Sequence, residues 1–454
     1  MPDDKQPPPA CHPDSRTDRP DADVLAEARE GIARHRQGDC DLVLAGPDGR
    51  PAAGRTVRIV QTRTAFLFGS PIYEVAEAAR LDRMHNPDLQ LYAQCYTGLL
   101  NACTALCYWN ERGDPWVEKF QGDTKFREFV MQADWANAHG LTVKGHPLVW
   151  TVEKAIPPWL WRYDDATRMK FLEVRVRNFV GGLRDKVRMW DLVNEMLWEP
   201  SMRHIAERKW PHLEPIPEIL SYVAPAVQWA RQENPDARLL INEYGLIHGP
   251  PAALPAVTAA MQRRRYVELA EALQKAGAAP DALGVQGHSG GRWFRMGDVK
   301  AALDELAQAG LPLHITEFGA GLGGMGPEGA ALPEEEQLAR QAEFAANFYT
   351  VAFGHPAVEA VSYWGLPSVC FPSPQGLLTR IPRRRAAAPM YGALRHLVRE
   401  EWMTRLEATS DSAGRIRFRG FFGDYVLRYA EDRASVPFVL PAPGGSTIRL
   451  RLGV

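Results

Sequence analysis

Two hydrophobic patterns divide this chain. Between about residues 63 and 402, short apolar runs recur, and the segments between them carry apolar residues three and four apart, the helical spacing. Eight such runs stand out: AFLFGS to Ser70, LLNACTA to Ala105, TVKGHPLVW to Trp150, VRMWDLVNE to Glu195, ARLLINEY to Tyr244, ALGVQGH to His288, LPLHITE to Glu317 and VEAVSYWG to Gly365. Toward the two ends the period changes to two. Asp41 to Thr62 alternates around a Pro-Asp-Gly turn and predicts a hairpin, while Thr404 to Leu452 gives short alternating runs broken by Gly, Pro and Asp. These two β-rich pieces are expected to pair into one small sandwich.

Strands that alternate with helices argue for parallel βα units, and eight of them predict an α/β fold, a (β/α)8 barrel. The helices have their own signals: Asp21 is expected to cap a helix over Ala22 to Arg36, Asp123 to open one before Gly140, Asp298 to cap one ending near Gly310, and Pro333 to start one ending at Gly354. The predicted organisation is therefore a disordered leader over 1–20, a helix and hairpin over 21–62, the barrel over 63–402 and terminal strands over 403–454. The second and last of these build a β-sandwich-like accessory domain from both termini.

A barrel places chemistry at the carboxyl ends of its strands. Here those ends hold His146 and Trp150, Asn194 and Glu195, Glu243 and Tyr244, Gln286 and His288, Glu317, and Trp364. The stretch Val187 to Glu199 is the most informative, because its apolar body stops abruptly at Asn194-Glu195. One carboxylate at a strand end is a common rim feature. A second, Glu317, delivered by another strand makes a pair, and a pair of carboxyls in different protonation states is what cleaving an acetal requires. An ionised Glu317 would disfavour ionisation of Glu195, and His288 can help hold Glu317 charged.

Composition removes several alternatives. The chain has 454 residues with a formal net charge of −2, and no basic block or basic aromatic face marks a nucleic-acid footprint. The RRR runs at Arg263 to Arg265 and Arg383 to Arg385 read as solvated surface. No segment is apolar for long enough to span a membrane. The six cysteines, Cys11, Cys40, Cys95, Cys103, Cys107 and Cys370, lack metal-binding spacing, so no metal is expected, and Cys103 and Cys107 read as small apolar fillers of a strand. The leader MPDDKQPPPACHPDSRTDRP has no apolar signal core. The expected compartment is extracellular or periplasmic if an export signal was removed, and cytoplasmic otherwise. Thirteen tryptophans supply flat faces suited to sugar rings as well as to core packing.

GHPLVW at 145 to 150, WDLVNE at 190 to 195, LINEY at 240 to 244, GVQGH at 284 to 288, HITE at 314 to 317 and YWG at 363 to 365 resemble, in order, the strand-end motifs of glycoside hydrolase family 10, the endo-β-1,4-xylanases. The resemblance covers roughly Phe66 to Trp402. It implies a retaining enzyme without metal or organic cofactor, acting on a polysaccharide or oligosaccharide, with Glu195 as general acid/base and Glu317 as nucleophile. It further implies that Asn194 bonds the sugar 2-hydroxyl, His146 a neighbouring hydroxyl, Gln286 lines the site, His288 orients Glu317, and Trp150 and Trp364 wall the subsite; Tyr244 completes the binding set.

The departures are as specific. In the family, the second strand presents a Glu-Asn pair and, three residues on, a Lys; those places hold Leu106, Cys107 and Asn110 here. The Asp two residues past the nucleophile is Gly319, and CFPSPQG carries no counterpart of the family's tryptophan. The glycine-rich GAGLGGMGPEG at 319 to 329 does not match a phosphate-binding pattern and is expected to be a mobile lid. The preferred reading is a retaining β-glycosidase of a xylan-like or decorated substrate. The alternative is a catalytically weak or inactive carbohydrate-binding barrel, favoured by the lost second-strand contacts and disfavoured by the survival of both carboxylates. A barrel lyase or isomerase using one Glu as a base is disfavoured by the lack of a phosphate or metal signature.

Overall fold

The computed structural model describes residues 18–110, 118–198, 202, 213–248, 257–289, 292–366, 388–431, 433–442 and 445–453. The leader up to residue 17, the CFPSPQG segment with Cys370, and Arg383 to Arg385 lie outside the described residues.

Eight parallel strands follow one another around a barrel: Leu67–Gly69, Ala102–Leu106, Thr142–His146, Met189–Asn194, Arg238–Glu243, Ala282–Val285, Leu313–Phe318 and Val358–Tyr363. The first strand pairs with the eighth. The ring closes between the first and second through the parallel bridge of Pro71 with Thr104 and the bonds from Asn101 N to Phe68 O and Thr104 N to Ser70 O, each 3.0 Å. Every residue of the second, fourth and seventh strands is buried. That follows from the pattern, because a parallel strand covered by side chains inside and helices outside has no wet face. Cys103 and Cys107 are buried free thiols in and just after the second strand, as their reading as apolar fillers requires.

The helices form where apolar spacing predicts, but three of their starts differ. Asp21 does not cap its own helix, Asp21–His35; its Oδ1 instead accepts from Met296 N at 2.9 Å, satisfying the first turn of the helix Met296–Leu306. Asp298 lies inside that helix, not at its cap. The helix expected to open at Asp123 is Phe126–Ala138, because Asp123 closes a turn back to Phe120 and pairs with Lys125. A cap residue read from sequence identifies a free helix end nearby, and tertiary packing decides which end it serves.

Both termini build the accessory sandwich. One sheet places Gln37–Ala45 between Arg415–Phe421 and Ser446–Arg451; the other orders Arg405–Thr409, Thr56–Thr64, Gly423–Tyr429 and Ala434–Leu440. The hairpin expected over Asp41 to Thr62 is therefore not formed. Its two strands leave the turn for opposite sheets, after a short ladder next to the turn at the bridge of Ala45 with Pro51. Period two requires one buried face on each strand; here Leu42 and Leu44 meet Val57 and Ile59 across the sandwich core, not along a shared edge.

The sandwich attaches at the amino-terminal end of the barrel. Arg63 donates to Asn101 O at 2.8 Å, ahead of the second strand, and to Thr142 Oγ1 at 2.7 Å, where the third begins. Arg36 donates to Phe353 O and Val358 O at 2.6 Å. The helix Asp21–His35 lies on the helix Glu334–Gly354 with their backbones in contact at Gly31 and Gly354. A Cβ on Gly31 would run into the Gly354 carbonyl, and one on Gly354 into Ala28 O.

Candidate active site

The fourth strand ends at Asn194, and the next residue, Glu195, turns out of the sheet with φ 59°. A non-glycine residue in the left-handed region costs about a kcal/mol or more and persists where its surroundings fix it. Glu195 N donates to Asn242 O at 2.8 Å on the fifth strand, which holds the turn. Its carboxylate accepts twice, from Gln286 Nε2 and from Trp150 Nε1, both at 2.8 Å. Those two donors favour the ionised form. Burial outweighs them, helped by the charge of Glu317, so the Glu195 pKa lies above the ordinary carboxylate range.

Glu317, on the seventh strand, is treated oppositely. Its Oε1 accepts from Asn242 Nδ2 at 2.8 Å and its Oε2 from His288 Nε2 at 3.0 Å. Burial alone would raise its pKa; the His288 bond and the charges of His146 and His288 overcome that, and the net direction is down. His288 moves up in return: burial, the largest single effect, lowers its pKa, but the bond to Glu317 and the charges of Glu317 and Glu195 together outweigh it. One carboxyl is biased toward holding a proton and its neighbour toward losing one. The sequence reading assigned this split to proximity; in the structure burial is the larger cause at Glu195, and proximity adds to it.

The structure brings Asn194, His146 and Trp364 to this pair and its histidine partners. Asn194 Oδ1 accepts from Asn242 Nδ2 at 2.8 Å and, more weakly, from Gln286 Nε2 at 3.4 Å. His146 gives Nδ1 to Asp191 Oδ2 at 2.8 Å, which turns Nε2 to within 3.8 Å of Glu317 Oε1. The Trp364 ring stands edge-on to His146, with centroids 5.2 Å apart, and to His288 at 6.3 Å. Lys154 lies 4.5 Å over the face of Trp150. Tyr244 is half-buried against the barrel core and joins the network through its N–H, which donates to Glu243 Oε1 at 3.0 Å.

Asn242 and Asp191 were not singled out from sequence, and Glu243 was read only as a strand-end residue. Asn242 is the hub: fully buried, it donates to both Asn194 and Glu317 and accepts from Thr316 Oγ1 at 2.6 Å. Asp191 is buried between Lys144, at 2.6 Å, and His146, and although burial raises its pKa these partners bring it below the usual range. Glu243 accepts from Leu197 N at 3.0 Å, tying down the backbone just past Glu195; burial pushes its own pKa well up. The available signal was a polar residue inside an otherwise apolar parallel strand, where an unpaired one would be costly.

The second strand ends differently. Leu106 and Tyr108 form a buried apolar cluster with Ala76, against which Tyr73 and Trp150 pack. Tyr108 sets its ring edge-on to His146 at 5.8 Å. Cys107 is buried, its thiol pushed up to about 12 by burial, and the Asn110 amide donates to Lys154 O at 2.7 Å and more weakly to Ile156 O. The glycine-rich segment after Glu317 is not open: Leu322–Met325 and Gly326–Ala330 are short helical turns, and Gly324 lets the Trp293 indole pack directly on the backbone while Trp293 Nε1 donates to Gly321 O at 2.9 Å. The expected lid is a packed segment. Among the described residues no group of His, Cys, Asp and Glu could hold a metal ion, and no helix is long and apolar enough to cross a membrane.

Comparison with known proteins adds a family. The model of Glycosyl hydrolase family 10 matches residues 89–368. Endo-1,4-beta-xylanase 2 of Arabidopsis thaliana is 25% identical over 412 residues, covering 89% of this chain and 34% of that protein. Anti-sigma-I factor RsgI6 of Acetivibrio thermocellus is 24% identical over 405 residues, 88% of this chain and 46% of its own. The chain thus spans about a third to a half of the length of these relatives. Among solved structures, GH10 from Paenibacillus barcinonensis aligns with TM-score 0.53 at 20% identity over 73% of this chain and 94% of that one. A GH10 endoxylanase from a sugarcane soil metagenome aligns with TM-score 0.52 at 19% identity over 73% and 96%. Both share the barrel fold.

Proposed function

Because the chain belongs to glycosyl hydrolase family 10, we propose that it cleaves β-glycosidic bonds with retention, through a double displacement run by Glu195 and Glu317. The observation that carries this is the opposed bias of the two carboxyls, Glu195 toward the protonated and Glu317 toward the ionised form. In the first step Glu317 attacks the anomeric carbon while Glu195 gives its proton to the departing oxygen. The product is a glycosyl ester of Glu317 and a free alcohol. In the second, Glu195, now ionised, takes a proton from water as the water oxygen attacks the same carbon, releasing the sugar and restoring both carboxyls. Retention requires the carboxyls to stand about 5–5.5 Å apart. His288 and Asn242 keep Glu317 anionic and aimed, Asn194 and His146 meet sugar hydroxyls, Gln286 lines the site, and Trp150, Tyr244 and Trp364 bound the cleft.

The substrate we infer is xylan-like but differs from a bare linear xylan, being decorated or carrying another glycone. Support comes from the second strand end, where an apolar cluster and an amide already bonded to backbone replace polar groups that would hold further sugars. The catalytic unit we assign to residues 63–402, with residues 21–62 and 403–454 as its accessory domain.

The same observation favours a second reading, a barrel that binds carbohydrate with little or no turnover. A reducing-sugar assay over a panel of β-linked polysaccharides separates the two. Release of reducing ends that is lost in Glu317→Ala supports the glycosidase; retention of a polysaccharide by the protein with no release on any of the panel supports the binder.

A further inference from the structure

The outer face of the three-stranded sheet of the accessory domain is built from arginine. Its central strand presents Asp39, Asp41, Val43 and Ala45 outward. Across one edge, Arg419, Arg417 and Arg415 stand opposite Asp39, Asp41 and Val43; across the other, Arg449 and Arg451 stand opposite Val43 and Ala45. Two rows of guanidinium groups therefore flank a central strand whose outward residues are two carboxylates, Asp39 and Asp41, followed by the small apolar pair Val43 and Ala45. The rows are two strand spacings apart, about 9.5 Å, and successive arginines within a row are about 6.5–7 Å apart.

Charge on the face does not balance. Arg415 pairs with Asp41 at 2.9 Å and Arg419 with Asp39 at 3.1 Å. Arg417, Arg449 and Arg451 are exposed, and none of the three has a carboxylate partner among the described residues. Three cations without an ion-pair partner among the described residues, fixed on a sheet of a chain whose net charge is −2, form a local positive field. The residues facing outward here include no aromatic ring on which bases could stack and no large apolar group to enter a membrane. A planar guanidinium matches a carboxylate through two parallel hydrogen bonds.

We propose that this face binds the uronic-acid groups of an acidic polysaccharide, whose chain lies along Val43 and Ala45 with its carboxylates directed to Arg417, Arg449 and Arg451. The choice of polysaccharide over other polyanions rests on the glycosidase reading above. The face lies on the domain at the amino-terminal end of the barrel, so it would hold the polymer without occupying the cleft.

The test is affinity electrophoresis of the full chain in gels containing glucuronic-acid-bearing xylan, the same xylan after carboxyl reduction, or a single-stranded oligonucleotide. Retardation is expected with the native polymer and not with the reduced one. The triple variant Arg417→Gln, Arg449→Gln, Arg451→Gln should bind the native polymer about tenfold more weakly, the combined effect of three exposed ion pairs. Its turnover of a small neutral aryl glycoside should match the parent's, and that assay reads the catalytic proposal separately from the binding one. Equal retardation by the reduced polymer, unchanged binding by the triple variant, or tighter binding to the oligonucleotide would each overturn the proposal.

Discussion

Replacing Asn242 by Asp changes one NH2 group to oxygen and almost nothing in shape. In the native protein that NH2 lies 2.8 Å from Glu317 Oε1 and 2.8 Å from Asn194 Oδ1, and Asn242 itself is fully buried. After the substitution two acceptors face the introduced oxygen, and Glu317 loses a donor to its ionised form. A hydrogen bond to a charged group contributes about 1.5–3 kcal/mol, and at about 1.4 kcal/mol per factor of ten its loss from the reacting state lowers kcat/KM roughly 10–100-fold. The pH dependence has a definite sign. Burial raises the Glu317 pKa, and the net direction is down only because His288 and His146 overcome it; removing the Asn242 donor and adding a second carboxyl both push it up. Since the nucleophile must be ionised, the acidic limb of the kcat/KM profile moves to higher pH. The assay is an aryl glycoside with a good leaving group, followed across pH for Asn242→Asp and parent, with near-UV circular dichroism to verify the fold. An acidic limb that stays in place, together with kcat/KM within twofold of the parent, would refute the assignment of Asn242 as the group that prepares Glu317.

Three further outcomes are expected. Glu317→Ala abolishes turnover of every glycoside, whereas Glu195→Ala retains the first step for aryl glycosides whose leaving group needs no proton, which a burst of phenolate would show. On linear xylohexaose the parent enzyme is slow, because Leu106, Cys107 and Asn110 offer no side-chain grip to remote sugars; a kcat/KM around 10⁶ M⁻¹s⁻¹ or higher would contradict this. Gly31→Ala, which forces a methyl into the Gly354 carbonyl, costs about 1–3 kcal/mol and lowers the Tm in a thermal melt; an unchanged Tm would show that the two helices are not held in contact.

The barrel was legible because its strands write their own ends: an apolar body that stops at Asn194-Glu195 or at Glu317 marks both the strand and the rim. The carboxylate pair was legible for the same reason. What failed was pairing. Alternation along Asp41 to Thr62 states that each strand has one buried face, and it is silent on whether the two strands share an edge or face each other across a core, as they do. Caps failed similarly: Asp21 was read as serving the next residues in sequence and serves Met296, brought to it by packing. Asn242, Thr316, Lys144 and Asp191 sit within strands dominated by apolar neighbours, so their polarity was visible but their mutual partners were not. The glycine-rich segment was read as a lid because it follows Glu317 and does not match a phosphate-binding pattern. At Gly324 the missing Cβ instead admits the Trp293 ring.

The central claim is retention through a glycosyl ester on Glu317, and proton NMR of the first sugar released tests it most directly. With a β-linked substrate from the panel, the anomeric signal that grows first should be that of the β product, with the α form appearing only later by mutarotation. An α anomer growing in first would show direct displacement by water and contradict the account.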